Sequence, residues 1–453
     1  MKKYRKSLFI FRRDLRLDDN TGLIKALEES QEVFPVFFLD KRLLEDNKYK
    51  SDNAIQFMSE SLKDLHEDLL RKGSRLNIIH GIPEETLGGI ITDYEIESVY
   101  FNRDYTPFSK KRDVGIRKIC IKKKINVSDY PDALLNEPEN ITKKNGDPYT
   151  IFTAFKNVSV FHEVRKVRIN KFSNYSKVIM GSDNILSLNN FPNNINLYTN
   201  GGRTKGLEKI EKIIECVDYE SERNFPSLDG TTGLSAHNKF GTVSVREVYW
   251  AIVEAFGSHH QLINELYWRD FFTHISFHFP KVFEGAFYKK FDNIVWSEDF
   301  DVFELWKKGM TGFPIVDAGM RQLNFTGYMH NRVRMIAASF LIKDLHINWQ
   351  WGERYFAQKL VDYDPCVNNG NWQWVASTGC DAAPYFRIFN PWLQQKKYDK
   401  DCSYIKKWLP ELEQYSPRQI HDLEFGNGIG SYPKAIVDHK KMSFITKQMY
   451  SSV

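Results

Sequence analysis

The stretch that decides the fold opens with SLFIF at residues 7–11, a short apolar run typical of a buried β-strand. Similar runs follow along the N-terminal part of the chain: VFPVFFL at 33–39, LNIIH at 76–80, SVYFN at 98–102 and the weaker NVSD at 126–129. Helical patterns lie between them, the clearest with apolar residues at helical spacing from Ile55 to Leu69, just before Gly73. This alternation predicts a doubly wound parallel sheet in a Rossmann-like α/β domain over residues 1–132.

The chain beyond residue 132 has a different pattern. Residues 133–200 are rich in Asn, Lys, Ser and Pro, and we expect an interdomain linker there, with a helical piece near residues 152–164. Residues 201–453 have helical periodicity with short breaks, and runs typical of strands are scarce. The predicted helices are 207–216, 244–256, 261–277, 316–324 and 331–345. We therefore predict an all-α C-terminal domain.

The composition is that of a globular protein with room for two or three domains: 453 residues, 42% hydrophobic and 27% charged. A net charge of only +5 tolerates an acidic partner without demanding one. The five cysteines are scattered and form no CxxC pair, which indicates reduced thiols in an intracellular, cytoplasmic protein and no zinc or other metal site. No apolar run is long enough to span a membrane, and we expect no signal peptide.

Two features place ligand binding in the C-terminal part. All ten tryptophans lie at or after Trp250, so that part has a use for indoles which the N-terminal part lacks. The first strand is followed by RRDLRLDDN, residues 12–20, which contains no GxGxxG. Because the α/β domain lacks this fingerprint, a dinucleotide that binds the protein is expected to bind elsewhere.

The segment DGTTGLS, residues 229–235, combines backbone freedom with hydroxyl groups. Glycines let the backbone approach a ligand closely, and a helix N-terminus after this segment would favour an anion such as a pyrophosphate. A turn followed by an N-cap explains the same residues without any ligand.

Two helical motifs place polar side chains on shared faces. In ELYWRDFF, residues 265–272, Glu265 lies on one face with Trp268 and Arg269; the alternative is a surface ion pair beside a core tryptophan. In MHNRVRM, residues 329–335, one face carries Asn331, Arg334 and Met335. An arginine on a mostly buried face needs a carboxylate or an anion, whereas the alternative is a solvated basic helix.

The segment DYDPCVNNGNWQW, residues 362–374, packs carboxylates and amides beside two indoles. Burying an unpaired polar group costs roughly 2–7 kcal/mol, so a flat ligand with hydrogen-bonding edges is expected to satisfy these groups. The alternative is a polar helix start after Pro365, in which Asp and Asn are caps and the tryptophans belong to the core.

Together with TGCDAAPYFRIFNP at residues 378–391, these motifs resemble the DNA photolyase and cryptochrome family. FIFRRDLRLDDN at residues 9–20 is similar to that family's opening strand and loop, so the resemblance covers nearly the whole chain. It implies that FAD is bound noncovalently within the helical domain. The residues implied to hold it are Tyr219, Thr231, Thr232, Ser235, Arg269, Asn331, Arg334, Asp362, Asp364 and Asn368.

The resemblance also assigns individual roles in the cofactor site. Arg334 and Asp362 are implied to form an ion pair beside the flavin ring, and Asp364 to accept a hydrogen bond from the imide edge. Asn368 is implied to face flavin N5, where an amide supports a reduced flavin without adding negative charge.

Other residues are implied to act on the substrate. Trp268 and Trp374 resemble the indoles that flank a flipped pyrimidine dimer, and Glu265, with Asn331 and Met335, resembles the lesion-contacting groups. The implied DNA contacts are Arg223, Trp268, Arg332, Trp374 and Arg387, and the implied electron-transfer chain is Trp372, Trp349 and Trp296.

The function implied is light-driven repair of cyclobutane pyrimidine dimers, most like that of class I photolyases. Photoexcited reduced FAD would pass an electron to a dimer flipped out of double- or single-stranded damaged DNA, with the protein acting as a monomeric carbon–carbon lyase. A cryptochrome-type photoreceptor and a plain electron-transfer flavoprotein are the alternatives. Residues 102–113 match the family pattern, but they leave open whether a folate, a deazaflavin, a second flavin or no antenna binds.

Overall fold

A five-stranded parallel sheet organises the N-terminal part of the chain, with strand order β3-β2-β1-β4-β5. The strands are β1 (Tyr4–Phe11), β2 (Ser30–Leu39), β3 (Asn77–His80), β4 (Ser98–Asn102) and β5 (Asn126–Tyr130). Four of the five predicted runs lie within a strand, and the fifth begins one residue before β3, at Leu76. The predicted fold class, a parallel-sheet domain with a helical part after it, is confirmed.

The computed structural model describes residues 2–45, 47–180, 185–228, 230–426 and 428–453. Its contacts group the chain into two units. Unit 1 contains Met1–Asn193, Thr199–Ile214 and Thr232–Pro280, and unit 2 contains Asn194–Tyr198, Glu215–Thr231 and Lys281–Val453. The boundaries predicted at residues 132 and 200 concern domains along the sequence, and they stay a prediction.

The described helices of unit 1 alternate with the strands at first and then follow them along the chain. They are α1 (Thr21–Glu29), α2 (Lys41–Leu44), α3 (Asp52–Arg71), α4 (Pro83–Asp93), α5 (Pro107–Lys122), α6 (Phe152–Ser159), α7 (Arg203–Glu211), α9 (Ser235–Phe240), α10 (Val245–Phe256) and α11 (Gln261–His278).

Unit 2 is helical in its described residues. Its helices are α8 (Tyr219–Glu222), α12 (Phe300–Lys308), α13 (Pro314–Thr326), α14 (Asn331–Lys343), α15 (Trp349–Lys359), α16 (Pro365–Ala376), α17 (Pro391–Tyr398), α18 (Ser403–Trp408), α19 (Pro417–His421) and α20 (His439–Ser451).

The central strand of the sheet is buried on both faces, as the continuous apolar run SLFIF predicts. Leu8, Phe9 and Ile10 are 0%, 0% and 2% exposed. Leu8 and Ile10 belong to one core cluster with residues of α4 and α5, and α1 contacts the sheet as well. Helices on both faces remove residues 7–11 of β1 from water, which is what a parallel sheet requires.

The loop that follows β1, residues 12–20, is held in place by buried ion pairs. Its Arg16 bonds the carboxylate of Asp132, and Arg246 of α10 bonds Asp19 Oδ2 at 2.7 Å and Asp132 Oδ1 at 2.8 Å. Burial works to raise the pKa of Asp132, but the two guanidinium groups outweigh it and hold that pKa below its usual range. A buried network of this kind fixes the first loop to α10, because breaking one pair leaves an uncompensated charge.

Most of the segment predicted as a linker belongs to unit 1, and part of it is hydrogen-bonded to the sheet. The backbone N–H of Val33 donates to the carbonyl of Asn174 at 3.0 Å, and the N–H of Ser176 donates to the carbonyl of Val33 at 2.7 Å. The helical piece predicted in this segment is α6, which lies against α11. Hydrogen bonds from the sheet thus order a segment whose own sequence has little periodicity.

The core of unit 2 is rich in aromatic side chains. Trp306, Phe340 and Trp372 are 0%, 0% and 2% exposed. Gly352 of α15 is required there, because a Cβ would lie 2.2 Å from the ring of Trp372.

All five cysteines of the chain are buried free thiols. In the described residues, no helix is both long enough and apolar enough to cross a membrane.

Candidate active site

The polar segment with two tryptophans forms the start of α16. Asp364 is its N-cap, and Oδ1 accepts hydrogen bonds from the backbone N–H groups of Cys366 at 3.0 Å and Val367 at 3.2 Å. Pro365 lies in the first turn, where its missing N–H leaves no hydrogen bond unmade. The alternative of a capped helix start describes the local structure, and the role of Asp364 toward a flavin edge stays a prediction.

One face of α16 carries Asn368 and Trp372, which are four residues apart and therefore adjacent on the helix surface. They are 9% and 2% exposed, and Trp374 on another side of the helix is half-buried. The helix thus presents a buried amide beside a buried indole, with a second indole partly open to water.

The amide of Asn368 is held in one orientation by Glu353 of α15. Its Nδ2 donates to the backbone carbonyl and to Oε1 of Glu353, each at 3.1 Å. Both partners are acceptors, so the amide turns its N–H groups toward them and its carbonyl oxygen away. Glu353 is 5% exposed and belongs to no motif, which is why sequence reasoning missed it.

Arg334 and Asp362 form the expected ion pair, with Nη2 of Arg334 2.9 Å from Oδ2 of Asp362. Burial works to lower the pKa of Arg334, but the Asp362 carboxylate outweighs it and that pKa is raised. Oδ1 of Asp362 is buried and has no hydrogen-bond partner among the described residues. An unsatisfied buried acceptor is costly, so the donor groups of FAD fit this position.

A tyrosine that the sequence did not indicate connects several predicted cofactor residues. The ring of Tyr328 lies 5.3 Å from the Arg334 guanidinium and stacks on Tyr198, with ring centroids 3.8 Å apart. Burial raises the pKa of its hydroxyl, and the nearby Thr231 side chain opposes that rise. Thr231, Arg334 and Asp362 therefore lie in one connected group of unit 2, although more than 100 residues separate the first two in the sequence.

The remaining part of the DGTTGLS motif has the backbone features expected of it. Gly233 has a φ of +59°, a conformation that favours glycine, and α9 begins at Ser235. Thr232 and Ser235 belong to unit 1, and Tyr219 is a buried residue of α8 in unit 2. Asp229 lies outside the described residues. The phosphate and ribose contacts assigned to these residues stay a prediction.

Residues 330–332, HNR within MHNRVRM, form the start of α14. His330 is the N-cap and its Nδ1 accepts from the backbone N–H of Arg332 at 3.2 Å. Burial, with the nearby arginines, lowers the pKa of His330 to about 4, so it is neutral at pH 7. Asn331 is exposed and Met335 half-buried, and their helical spacing places them on the face that also carries Arg334.

The three tryptophans of the expected electron-transfer chain share the core of unit 2. Trp372 and Trp349 are buried members of that core, and half-buried Trp296 packs against it. Ser297 pairs with Ile347, which brings Trp296 beside the segment leading into Trp349. The direction of electron flow along these side chains stays a prediction.

Three predicted DNA contacts lie close together in unit 2. Nε of Arg332 donates to Oδ1 of Asn224 at 3.2 Å, and its guanidinium lies 4.6 Å from the ring of Tyr398. The pKa of Arg332 is lowered by burial and by the charges of Arg223 and Arg387. Three like charges at one place attract an anion, and a nucleic-acid phosphate is one such anion.

The predicted lesion contacts of unit 1 lie on α11. Glu265 and Trp268 are half-buried, and the guanidinium of Arg269 donates to the backbone carbonyl of Ala133. Phe152 of α6 stacks on Trp268, with ring centroids 3.6 Å apart and planes 6° from parallel. Sequence reasoning missed Phe152, because it lies more than 100 residues from Trp268 in a stretch without periodicity. The roles of Glu265, Trp268 and Arg269 stay a prediction.

Family models match both parts of the chain. Residues 7–166 match the model described as DNA photolyase, and residues 262–452 match the FAD binding domain of DNA photolyase. A protein of Synechococcus sp. named deoxyribodipyrimidine photo-lyase is 34% identical, over 98% of this chain and 96% of its own. The chain belongs to the DNA photolyase family. It is an enzyme of DNA repair with FAD as cofactor, as the sequence motifs predicted.

Three solved structures are also similar over nearly the whole chain. An archaeal photolyase from Sulfolobus tokodaii, described with two FAD molecules, is 42% identical with a TM-score of 0.90, covering 99% of this chain and 100% of its own. A class III photolyase from Agrobacterium tumefaciens is 34% identical with a TM-score of 0.92, covering 100% and 98%. A cryptochrome of Synechocystis sp. is 28% identical with a TM-score of 0.87, covering 99% and 100%. The closer likeness to class I stays a prediction.

Proposed function

We propose that this photolyase repairs cyclobutane pyrimidine dimers in double- or single-stranded DNA, that it acts as a monomer, and that the dimer is flipped out of the helix to be repaired. When bound, reduced FAD supplies the electron that splits the dimer after absorbing blue light. The residues of this chain position the cofactor, bind the damaged strand and stabilise charge on the dimer.

The observation that carries the proposal is the fixed amide of Asn368. Glu353 receives both N–H interactions of that amide at 3.1 Å, so a neutral carbonyl oxygen is left for the cofactor side. A carboxylate at this position would add negative charge and disfavour a fully reduced, electron-rich cofactor. Repair needs the reduced cofactor, so this arrangement supports a repair enzyme over a photoreceptor.

The arginine cluster supports a nucleic-acid substrate. The charges of Arg223 and Arg387 act on Arg332, and Arg387 is exposed on the loop between α16 and α17. Phosphate contacts of this kind give affinity without sequence preference. That suits a substrate recognised by its damage and not by its sequence.

The lesion itself is assigned to Glu265, Trp268, Asn331, Met335 and Trp374. Indoles provide flat apolar surface for the two pyrimidine rings. A carboxyl group donates a hydrogen bond to a pyrimidine carbonyl when it is protonated and so stabilises negative charge there. Histidines would be expected in their place for a (6-4) photoproduct, and the nearby His330 is engaged as a helix cap.

The test uses the purified FAD-loaded protein and an oligonucleotide with one cyclobutane thymine dimer. We expect blue light to restore the two thymines, with no repair in the dark and none of an oligonucleotide with a (6-4) photoproduct. Asn368→Asp gives the matched variant, since it has nearly the same shape and an added charge. It should lower the repair yield while FAD stays bound.

Two outcomes would contradict the proposal. Repair of the (6-4) substrate alone would reassign the lesion. Absence of any light-dependent repair by reduced protein would favour the photoreceptor alternative. The likeness to the Synechocystis cryptochrome is the observation behind that alternative.

The antenna alternatives can be tested in the same preparation. Residues 102–113 run from the last residue of β4 into α5, at the carboxyl edge of the sheet, where parallel sheets bind ligands. The similar Sulfolobus tokodaii photolyase is described with a second FAD as light-harvesting cofactor. We therefore propose a second flavin as the first antenna to test, by the FAD-to-protein ratio of protein refolded or incubated with excess FAD.

A further inference from the structure

We propose that Phe152 is a positioning residue which fixes the plane of the Trp268 indole and thereby sets the selectivity for the dimer. The inference rests on the proposed function, in which Trp268 flanks the flipped dimer. Phe152 itself would not touch the substrate; it would act through Trp268.

The stack between the two rings is unusually close and parallel. Aromatic pairs in proteins commonly have centroids 4.5–7 Å apart and are offset or perpendicular. Phe152 and Trp268 have centroids 3.6 Å apart and planes 6° from parallel, so the phenyl ring lies over one face of the indole. A pyrimidine can reach only the part of the indole that Phe152 leaves uncovered.

The edges of both rings are fixed by a third aromatic side chain. Phe271 contacts Phe152 edge-on, at 5.8 Å and 75°, and Trp268 edge-on, at 5.8 Å and 80°. Phe272 lies against the indole as well, with centroids 5.5 Å apart. Rotation of the indole about its χ angles would break these contacts together, so Trp268 is held before any substrate binds.

Phe152 cannot follow a moving indole, because it is held in turn. It is 8% exposed and is the first residue of α6, which packs against α11. Phe155, one turn later, is 1% exposed and contacts Phe271 and His274 at 5.4 and 5.0 Å. The phenylalanines around Trp268 are buried, whereas Trp268 itself is half-buried, so part of its indole is open to solvent.

Prior fixation of the indole would matter for binding. An aromatic side chain that is already in its bound orientation loses little conformational freedom when a base stacks on it. An unsupported indole would have to be ordered by the dimer, and it would also stack on ordinary bases in several orientations. Support by Phe152 should thus increase affinity for the dimer more than affinity for undamaged DNA.

The experiment compares three variants of the full FAD-loaded protein. Phe152→Leu removes the stacking surface, Phe152→Tyr retains it, and Phe155→Leu is the matched control on the same helix. The readouts are the Kd for a dimer-containing duplex, the Kd for the undamaged duplex, and the repair yield at saturating substrate. FAD content and Tm show whether each variant is folded.

We expect Phe152→Leu to weaken dimer binding about three- to tenfold and to leave binding to undamaged DNA within twofold. Phe152→Tyr should restore the wild-type ratio of the two Kd values, and Phe155→Leu should keep that ratio even if its Tm falls as far. In a Trp268→Leu background, Phe152→Leu should have no further effect on dimer binding, since the two residues would act as one unit.

Several outcomes would contradict the inference. A wild-type Kd ratio in Phe152→Leu, or an equal loss in Phe155→Leu, would overturn the inference. If Phe152→Leu does not fold, Phe152→Met takes its place, and failure of both to fold would show a purely structural residue. Wild-type dimer affinity in Trp268→Leu alone would instead refute the role given to Trp268 in the proposed function, so the two failures are distinguishable.

Discussion

Replacement of Lys343 by methionine should change how the stability of the protein depends on pH. Lys343 is 1% exposed, on the helix that also carries Arg332 and Arg334. Its Nζ donates to Ser377 Oγ at 2.8 Å and lies 3.4 and 3.5 Å from the backbone carbonyls of Tyr385 and Arg387. Burial lowers the pKa of Lys343 from 10.5 to about 7.

The charged and titratable groups nearest to Lys343 do not neutralise it. The ring of Tyr450 lies 5.8 Å from Nζ, and the neighbouring Asp344 is paired with His439. Burial raises the pKa of Asp344 to about 6, so most of that carboxyl group has lost its proton by pH 7. The ammonium group is therefore held mainly by neutral oxygen atoms.

The magnitude follows from the pKa. A value of about 7 in the folded protein against 10.5 in water corresponds to roughly 5 kcal/mol, at about 1.4 kcal/mol per pH unit. This is an upper value for the free energy that the buried charge costs below pH 7. The Ser377 hydrogen bond that methionine lacks offsets about 1 kcal/mol. We expect Lys343→Met to be about 2–4 kcal/mol more stable than the wild type at pH 6.

The sign of the pH effect is fixed by proton counting. Between pH 7 and 10.5 the unfolded chain keeps the proton on Lys343, whereas the folded protein has lost it. The free energy of unfolding therefore rises with pH in the wild type, by up to about 1.4 kcal/mol per unit relative to the variant. The advantage of Lys343→Met should shrink by about 2 kcal/mol between pH 7 and pH 9.

The assay is urea unfolding of FAD-loaded protein, followed by circular dichroism at pH 6, 7, 8 and 9. Lys447→Met on α20 is the matched control, because Lys447 is exposed. Its curve should run parallel to that of the wild type. Parallel curves for Lys343→Met as well would refute the reasoning, since they would mean that Lys343 takes up its proton at the same pH in the folded and unfolded chains.

Three further predictions concern the active site. Trp372→Phe should block photoreduction of oxidised FAD yet leave repair by chemically reduced protein largely intact; equal loss of both would contradict its place in the electron-transfer chain. Arg387→Ala should lower the slope of log Kd against log salt by about 1, whereas Arg418→Ala, which removes a 92% exposed side chain, should leave the slope unchanged. Glu265→Ala should reduce the repair quantum yield at saturating substrate severalfold while FAD stays bound, and a wild-type yield would remove Glu265 from the catalytic residues.

Much of the local structure followed from short-range patterns. The run at residues 98–102 coincides with β4, and the periodic residues before Gly73 lie within α3. Strand and helix periodicity are properties of neighbouring residues, so one sequence is enough to detect them. Residues near Asn174 have little periodicity of their own, and the hydrogen bonds that order them come from the distant Val33.

The candidate site contains residues that the sequence indicated and residues that only the structure shows. Its motif residues could be named in advance, because each motif is a short segment with a fixed spacing. Their partners could not. Glu353 orients Asn368 from the preceding helix, and Tyr328 joins Thr231 to Arg334 across the fold.

By itself the sequence indicated the five strands, several of the helices, the capped start of α16 as one of two alternatives, and the membership in a family whose motifs it carries. Only the tertiary structure decided which atoms face which: the carbonyl of Asn368 turned away from Glu353, the Oδ1 of Asp362 without a partner among the described residues, and the phenyl ring of Phe152 on Trp268. The physical reason is the distance along the sequence over which each kind of interaction acts. Backbone propensity and side-chain periodicity act over a few residues. Burial and hydrogen-bond partners are set when separate segments pack, here 15 residues apart for Asn368 and Glu353 and more than 100 for Phe152 and Trp268.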